Sequence, residues 1–71
     1  MTKLGKYLVK RSVNKSAVSR KTGISKARMS ELTINGSTRL KVDELYLIAL
    51  ALNVEPCEIL IELCGHLKLE K

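Results

Sequence analysis

The 71-residue sequence contains no tryptophan and no phenylalanine, and tyrosine occurs only twice. A hydrophobic core must therefore be built from aliphatic side chains, which pack between helices in low-energy rotamers. Small all-β domains usually carry more aromatic and β-branched residues in alternating order. The composition thus favours an all-α fold. We expect one small domain over residues 1–71, with a thin stability margin.

Long apolar runs are also missing. The longest, residues 45–52, has eight members, whereas a membrane-spanning helix needs about 20. Lys3 and Lys6 are not followed by the apolar segment of a secretory signal peptide. We therefore expect a cytoplasmic protein in which both cysteines are reduced thiols.

Residues that would support metal binding or catalysis are few. Cys57 and Cys64 are seven positions apart and, with His66, supply only three ligands at a spacing that fits no common zinc site. Buried or half-buried thiols are the simpler interpretation of both cysteines. We find no nucleophile–base–acid set and no phosphate-binding loop. The sequence therefore predicts neither an enzyme nor a bound cofactor or metal.

Acidic residues are scarce in the first part of the chain. Residues 1–41 contain eleven Lys and Arg but one acid, Glu31, whereas residues 42–71 contain two Lys and six acids. The two segments carry +10 and −4, within an overall charge of +6. Such a split predicts a positive face, which suits a polyanion such as DNA, RNA or an anionic membrane.

Turn and capping residues divide the sequence into five short helices. The breaks fall at Asn14, Gly23, Asn35-Gly36 and residues 53–56. The predicted helices span residues 3–11, 15–22, 26–34, 42–52 and 56 to about 64. The tail from about residue 66 is expected to fray.

Residues 15–34 are the most informative segment. They predict two helices joined by a turn of about three residues, so that the second helix projects from the body of the domain. Gly23 ends the first helix in the left-handed conformation without steric cost, and Ser25 caps the second. The inward-facing positions are small or apolar: Val18, Ser19, Gly23, Ile24, Met29 and Leu32.

This spacing resembles the helix-turn-helix of the lambda-repressor-like family, also called the Xre or Cro-like family. Three further segments are similar to that family: Asn35-Gly36, the Leu-rich stretch 45–54 and the fifth-helix opening 55–60. The chain departs from it at Ser19, where alanine is usual, at Ile34, an extra residue before the turn, and at Lys41, where serine is usual. The resemblance implies a compact five-helix fold that binds double-stranded DNA.

In that family the N-terminal part of the third helix enters the major groove. The resemblance therefore implies that the residues at the matching positions read the bases: Lys26, Ala27, Arg28, Ser30 and Glu31. Lys26 and Arg28 can donate to guanine, and the Ala27 methyl can contact thymine. Glu31 either accepts from a cytosine amine, orients a neighbouring basic side chain, or is simply solvated. The backbone contacts are assigned to residues at the flanking turns: Asn14, Lys15, Ser25, Asn35, Ser37, Thr38 and Arg39.

The two C-terminal helices carry more apolar residues than one face can bury, and such a patch usually marks an interface. We expect a homodimer, which would place two recognition helices about one DNA turn apart. Its candidate contacts are Leu47, Leu50, Ile59, Ile61 and Leu63.

The sequence is interpreted as that of a transcriptional regulator, a repressor that acts by occupying its operator. One alternative is an antitoxin that binds a toxin protein through the same apolar surface. Another is a protein–protein interaction module that retains the fold. RNA binding is disfavoured because the chain lacks exposed aromatics for base stacking. No membrane partner is expected, because the first helix is too short and too weakly apolar to lie on a membrane surface.

Overall fold

The computed structural model describes residues 1–70 and contains five helices. They are α1 (Lys3–Lys10), α2 (Lys15–Thr22), α3 (Lys26–Ile34), α4 (Val42–Leu52) and α5 (Pro56–Cys64). No strand occurs within that range, so the predicted all-α fold is confirmed. The helix bounds agree with the sequence pattern, except that α1 ends one residue early. Arg11 is its C-cap and donates its backbone N–H to the Tyr7 carbonyl.

Local capping explains where the helices begin and end. The Asn14 side chain accepts hydrogen bonds from the N–H groups of Ser16 and Ala17, at 2.7 and 3.3 Å. Gly23 ends α2 with φ 82°, a conformation that costs glycine little because it has no Cβ. The N-cap of α4, Lys41, has no side-chain acceptor, and the Glu44 carboxylate instead accepts from the Lys41 N–H at 3.0 Å. This is one half of a capping box.

The core lies where all five helices meet. Its members are almost all aliphatic, as the composition predicted: Leu4, Tyr7, Leu8, Val18, Ile24, Met29, Leu32, Ile48, Ala49 and Ile59. Leu63 packs against this cluster and is partly buried. No helix in the part of the chain that the structure describes is long and apolar enough to cross a membrane.

Two expectations about α5 are wrong. Ile59 was a dimer candidate, but it is 0% exposed and fills the core, because α5 turns that side chain towards the other helices. Cys57 and Cys64 were expected to be buried or half-buried, yet both thiols are free and exposed. The face of α5 that carries the cysteines is therefore the outer one.

Helices α1 and α3 approach each other closely at Gly5, which the sequence pattern did not predict. A Cβ atom added to Gly5 would overlap the backbone oxygen of Thr33. Beside it, Thr2 donates its N–H to the Thr33 carbonyl at 2.9 Å and its hydroxyl to the Leu32 carbonyl at 2.7 Å. These contacts anchor the C-terminal end of α3 to the start of α1.

Candidate nucleic-acid interface

One side of α3 is buried and the other is open. Met29, Leu32 and Thr33 face the core. With about 100° per residue, the exposed residues fall within an arc of about 140°. They are Lys26, Ala27, Ser30, Glu31 and Ile34. The structure therefore places four of the five base-readout candidates on one open face, together with Ile34 at the C-terminal end of the helix, 60% exposed.

The turn before α3 holds this helix by a buried hydrogen bond. The Ser19 hydroxyl donates to the Ile24 carbonyl at 2.5 Å, so the serine that replaces the family's usual alanine is satisfied inside the turn. Ser25 then caps α3 by accepting from the Arg28 N–H at 3.1 Å. Two side chains thus fix the start of α3: Ser19 of α2 and Ser25, which directly precedes α3.

Arg28, the fifth base-readout candidate, is engaged within the protein. Its Nε donates to Glu44 at 2.9 Å and its Nη2 donates to the other Glu44 oxygen at 3.0 Å. Nη2 also donates to the Arg39 carbonyl at 2.8 Å, and Nη1 lies 3.8 Å from Glu31. Paired donation to a carboxylate is among the strongest polar contacts. Only Nη1 keeps free N–H donors, so a bidentate contact that also uses Nε or Nη2 of Arg28 would require one of these bonds to open.

The ion pair between Arg28 and Glu44 shifts the pKa of both groups. The hydrogen bond from Arg28 holds the pKa of Glu44 below its usual value, against the opposing effect of burial. The hydrogen bond to Glu44 likewise raises the pKa of Arg28. The sequence pattern assigned Glu44 no role at this site. Its place at the third position of α4 would have indicated a capping box, but nothing local indicated a partner 16 residues away.

The segments predicted to contact the DNA backbone are tied to both ends of α3. At the C-terminal end, the Lys15 ammonium lies 3.4 Å from the Thr33 hydroxyl. At the N-terminal end, the bond from Arg28 holds the Arg39 backbone. Lys15 and Arg39 are both exposed. The structure therefore brings the Lys15 side chain to one end of α3 and the Arg39 backbone to the other.

The loop after α3 is ordered by its own side chains. Asn35 accepts from the Ser37 N–H at 3.0 Å and from the Ser37 hydroxyl at 2.8 Å, and its carbonyl accepts from the Thr38 N–H at 3.1 Å. Asn35 and Ser37 are exposed. Thr38 is half-buried and lines a groove with Leu4 and Leu63. Its side chain is therefore turned towards α1 and α5, which makes it the least accessible of the backbone candidates.

We expect the Glu44 ion pair to make stability depend on acid pH. Because the pKa of folded Glu44 is lowered from about 4.5, its contribution is complete above that value and is lost as pH falls towards the folded pKa. The melting temperature should drop more steeply below about pH 4.5 in the wild type than in Glu44→Gln. Thermal unfolding at a series of pH values measures this.

The control for that series is Glu70→Gln, which removes a carboxylate from the exposed tail. The melting temperature of this variant should fall with pH as steeply as that of the wild type. An acid profile of Glu44→Gln that runs parallel to the wild type would show that the ion pair contributes nothing.

Comparison with protein-family models gives a match over most of the chain. Residues 3–62 match the Cro/C1-type helix-turn-helix DNA-binding domain, which spans all of α1 to α4 and most of α5. Searches of curated proteins and of solved structures give no significant match. The resemblance inferred from the sequence is thus confirmed by a match over most of the chain. The chain belongs to the family of Cro/C1-type helix-turn-helix DNA-binding domains.

Proposed function

We propose that this protein is a sequence-specific regulator that inserts the open face of α3 into the major groove of double-stranded DNA. The observation that carries the proposal is the composition of that face. Between Lys26 and Glu31 its exposed side chains are the short Ala27 and Ser30. Short side chains let the helix backbone approach the base edges, and the charged ends can donate to or accept from them.

The proposed roles within α3 follow from the contacts. Lys26 donates to a base, Ala27 contacts a thymine methyl, and Ser30 and Glu31 contact the remaining edges. Arg28 holds α3 against α4 through Glu44 and acts as a positioning residue. This is a revision of the base-reading role expected from its place in the sequence, because three of its five N–H donors are already bonded within the protein.

The proposed backbone contacts flank the reading face. Lys15 and Arg39 neutralise phosphates on either side of the groove, and Asn14 donates from its side-chain NH2, because the α2 cap uses only its oxygen. Ser25 and Asn35 donate hydroxyl and amide hydrogens from exposed turns. Ser37 contacts a phosphate only when its hydroxyl leaves the Asn35 side-chain oxygen. Thr38 contributes less because its side chain is half-buried.

Repression by operator occupancy is the proposed regulatory mode, and the binding unit is a homodimer. Support for the dimer comes from large apolar side chains left at the surface of α4 and α5. Tyr46 is 54%, Leu50 57% and Ile61 67% exposed. Contiguous exposed apolar surface usually marks an interface. A twofold dimer would read two half-sites of a palindromic operator.

Selection from a random DNA library tests the proposal directly. Purified protein should enrich an inverted repeat with half-sites about one helical turn apart. The selected duplex should then bind more tightly than a scrambled duplex of equal length and composition. Enrichment of no motif at low salt, with the protein shown to be folded, would overturn the proposal.

We also expect strong salt dependence of the affinity for the selected duplex. Each phosphate neutralised by Lys or Arg lowers the slope of log K against log salt by about 0.9. Replacing Lys15 or Arg39 by alanine should therefore make the slope less steep by about one unit, with sequence preference kept. Titrations at four or more salt concentrations measure it, and an unchanged slope would remove that residue from the interface.

A further inference from the structure

An apolar groove runs along the outside of the α4–α5 pair. Its central part is lined by Val42, Leu45, Tyr46, Pro56, Cys57 and Leu60. The groove continues past Leu60 to Leu63 and Cys64 at one end, and past Tyr46 and Pro56 to Leu50 at the other. Val42 is 86% and Leu60 48% exposed. Apolar surface of this extent is unfavourable in water unless a partner covers it.

The two ends of the groove carry opposite charges. Lys41 lines the end next to Cys64 and supplies its positive charge, while Arg39, which borders the same end, is assigned to a DNA phosphate. Glu55 and Glu58 line the opposite end, together with Arg11, which lies 3.5 Å from Glu58. A second copy placed antiparallel would set each basic end against the other copy's acidic end. A parallel copy would oppose like charges, which is unfavourable. The charge pattern therefore favours a self-complementary, twofold arrangement.

The outer stripe of α5 has the spacing that such a pairing needs. Cys57, Leu60, Ile61 and Cys64 are all exposed, and residues three, four and seven apart share one helix face. The centre of this stripe lies between Leu60 and Ile61. A twofold axis through that point would place Cys57 of one copy next to Cys64 of the other.

The same spacing excludes a disulfide within one copy. Residues seven apart on a helix are separated by about 10.5 Å along its axis, whereas the Cα atoms of a disulfide lie within about 7 Å of each other. Any disulfide that joins Cys57 to Cys64 must therefore connect two copies. The two thiols consequently report on the register of the interface.

We infer that a second copy of this chain docks antiparallel on the α4–α5 groove, with Cys57 of each copy facing Cys64 of the other. This deepens the homodimer of the proposed function and rests on it. It centres the interface on Tyr46 and Leu60, which line the groove, and on Ile61, which is exposed beside Leu60 on the outer stripe of α5. Ile59 is in the core, and Leu47 does not line the groove.

Oxidative cross-linking of the full chain tests the register. Diamide takes two electrons and two protons from each pair of thiols, so the wild-type dimer should form two disulfides and lose four hydrogens by intact mass. On a non-reducing gel it should migrate as a covalent dimer. Cys57→Ser alone and Cys64→Ser alone should remain monomeric on the gel, because each bridge needs one thiol of each kind.

Mixing the two variants is the decisive step. A heterodimer of Cys57→Ser with Cys64→Ser keeps one facing pair, so an equal mixture should recover a covalent dimer with a single disulfide. Each single variant is the matched control for random collision, since it carries one equally exposed thiol. Cross-linking of either variant alone to the wild-type extent would overturn the register. So would a mixture, or a wild type, that stays monomeric both with and without the selected duplex.

The outcome is independent of DNA recognition. Cross-linking is measured on the protein itself, while binding to the selected duplex is measured under reducing conditions. Failure of the register with intact DNA binding would refute only the arrangement of the two copies. Failure of DNA binding with intact cross-linking would refute the proposed function and leave the interface standing.

Discussion

Replacing Gly5 with alanine is expected to destabilise the protein by about 1–3 kcal/mol, the usual cost of forcing an extra carbon into packed structure. The new Cβ would overlap the Thr33 carbonyl, which is backbone and already accepts a hydrogen bond from the Thr2 N–H. α1 must therefore move away from α3. In an isolated helix the same change would be stabilising, since alanine is the better helix former.

The measurement is thermal unfolding followed by circular dichroism. For a domain of this size, 1 kcal/mol corresponds to about 4–8 °C in melting temperature. Gly36→Ala is the matched control, because nothing lies within 4 Å of its added Cβ and its φ is not positive. It should leave the melting temperature almost unchanged. A Gly5→Ala protein as stable as the wild type would show that α1 and α3 pack less closely than described.

The second large effect is expected on the affinity for DNA. Changing Lys26 to alanine should weaken binding to the selected duplex by about 1–3 kcal/mol, or roughly 5- to 150-fold, and relax the preference at one base position. The melting temperature should stay the same, because the Lys26 side chain is exposed. Lys68→Ala, with the same loss of charge on the exposed tail, should bind like the wild type.

Arg28→Ala should behave differently if Arg28 positions α3. Loss of its bonds to Glu44 and to the Arg39 carbonyl should lower the melting temperature and weaken binding to selected and scrambled duplexes alike. Competition binding with single-base variants of the duplex distinguishes a loss of preference at one base pair from a loss of affinity for every duplex. A stable Arg28→Ala protein that loses preference at one base pair would restore the base-reading role and remove the positioning one.

Local signals predicted most of the helical framework. The Asn14 and Ser25 caps and the Gly23 ending depend on residues within about four positions, and each lies in the structure where its pattern placed it. The α4 start was harder, because Lys41 is no capping residue and Glu44 supplies the cap from within the helix. Four of the base-readout candidates share one open face for the same local reason, namely the periodicity of α3.

Contacts between distant residues could not be predicted in this way. The Thr2 hydroxyl and Leu32 are 30 residues apart, and Arg28 and Glu44 are 16 apart. Gly5 gave no sign of its role, because a glycine in a short helix has no local pattern that indicates a neighbouring backbone. Ile59 and Ile61 are equally apolar, and only the packing of α5 decides that the first is 0% and the second 67% exposed.

Composition and short-range periodicity are enough to predict the charge division, the order of the five helices and the helix-turn-helix at residues 15–34. Three features depend instead on how the helices pack together: the bond between Arg28 and Glu44, the close approach of the α3 backbone to Gly5, and the exposure of both thiols on the outer face of α5. Which side of an apolar helix is buried depends on the other helices packed against it. Those neighbours are set by the whole chain rather than by any one segment.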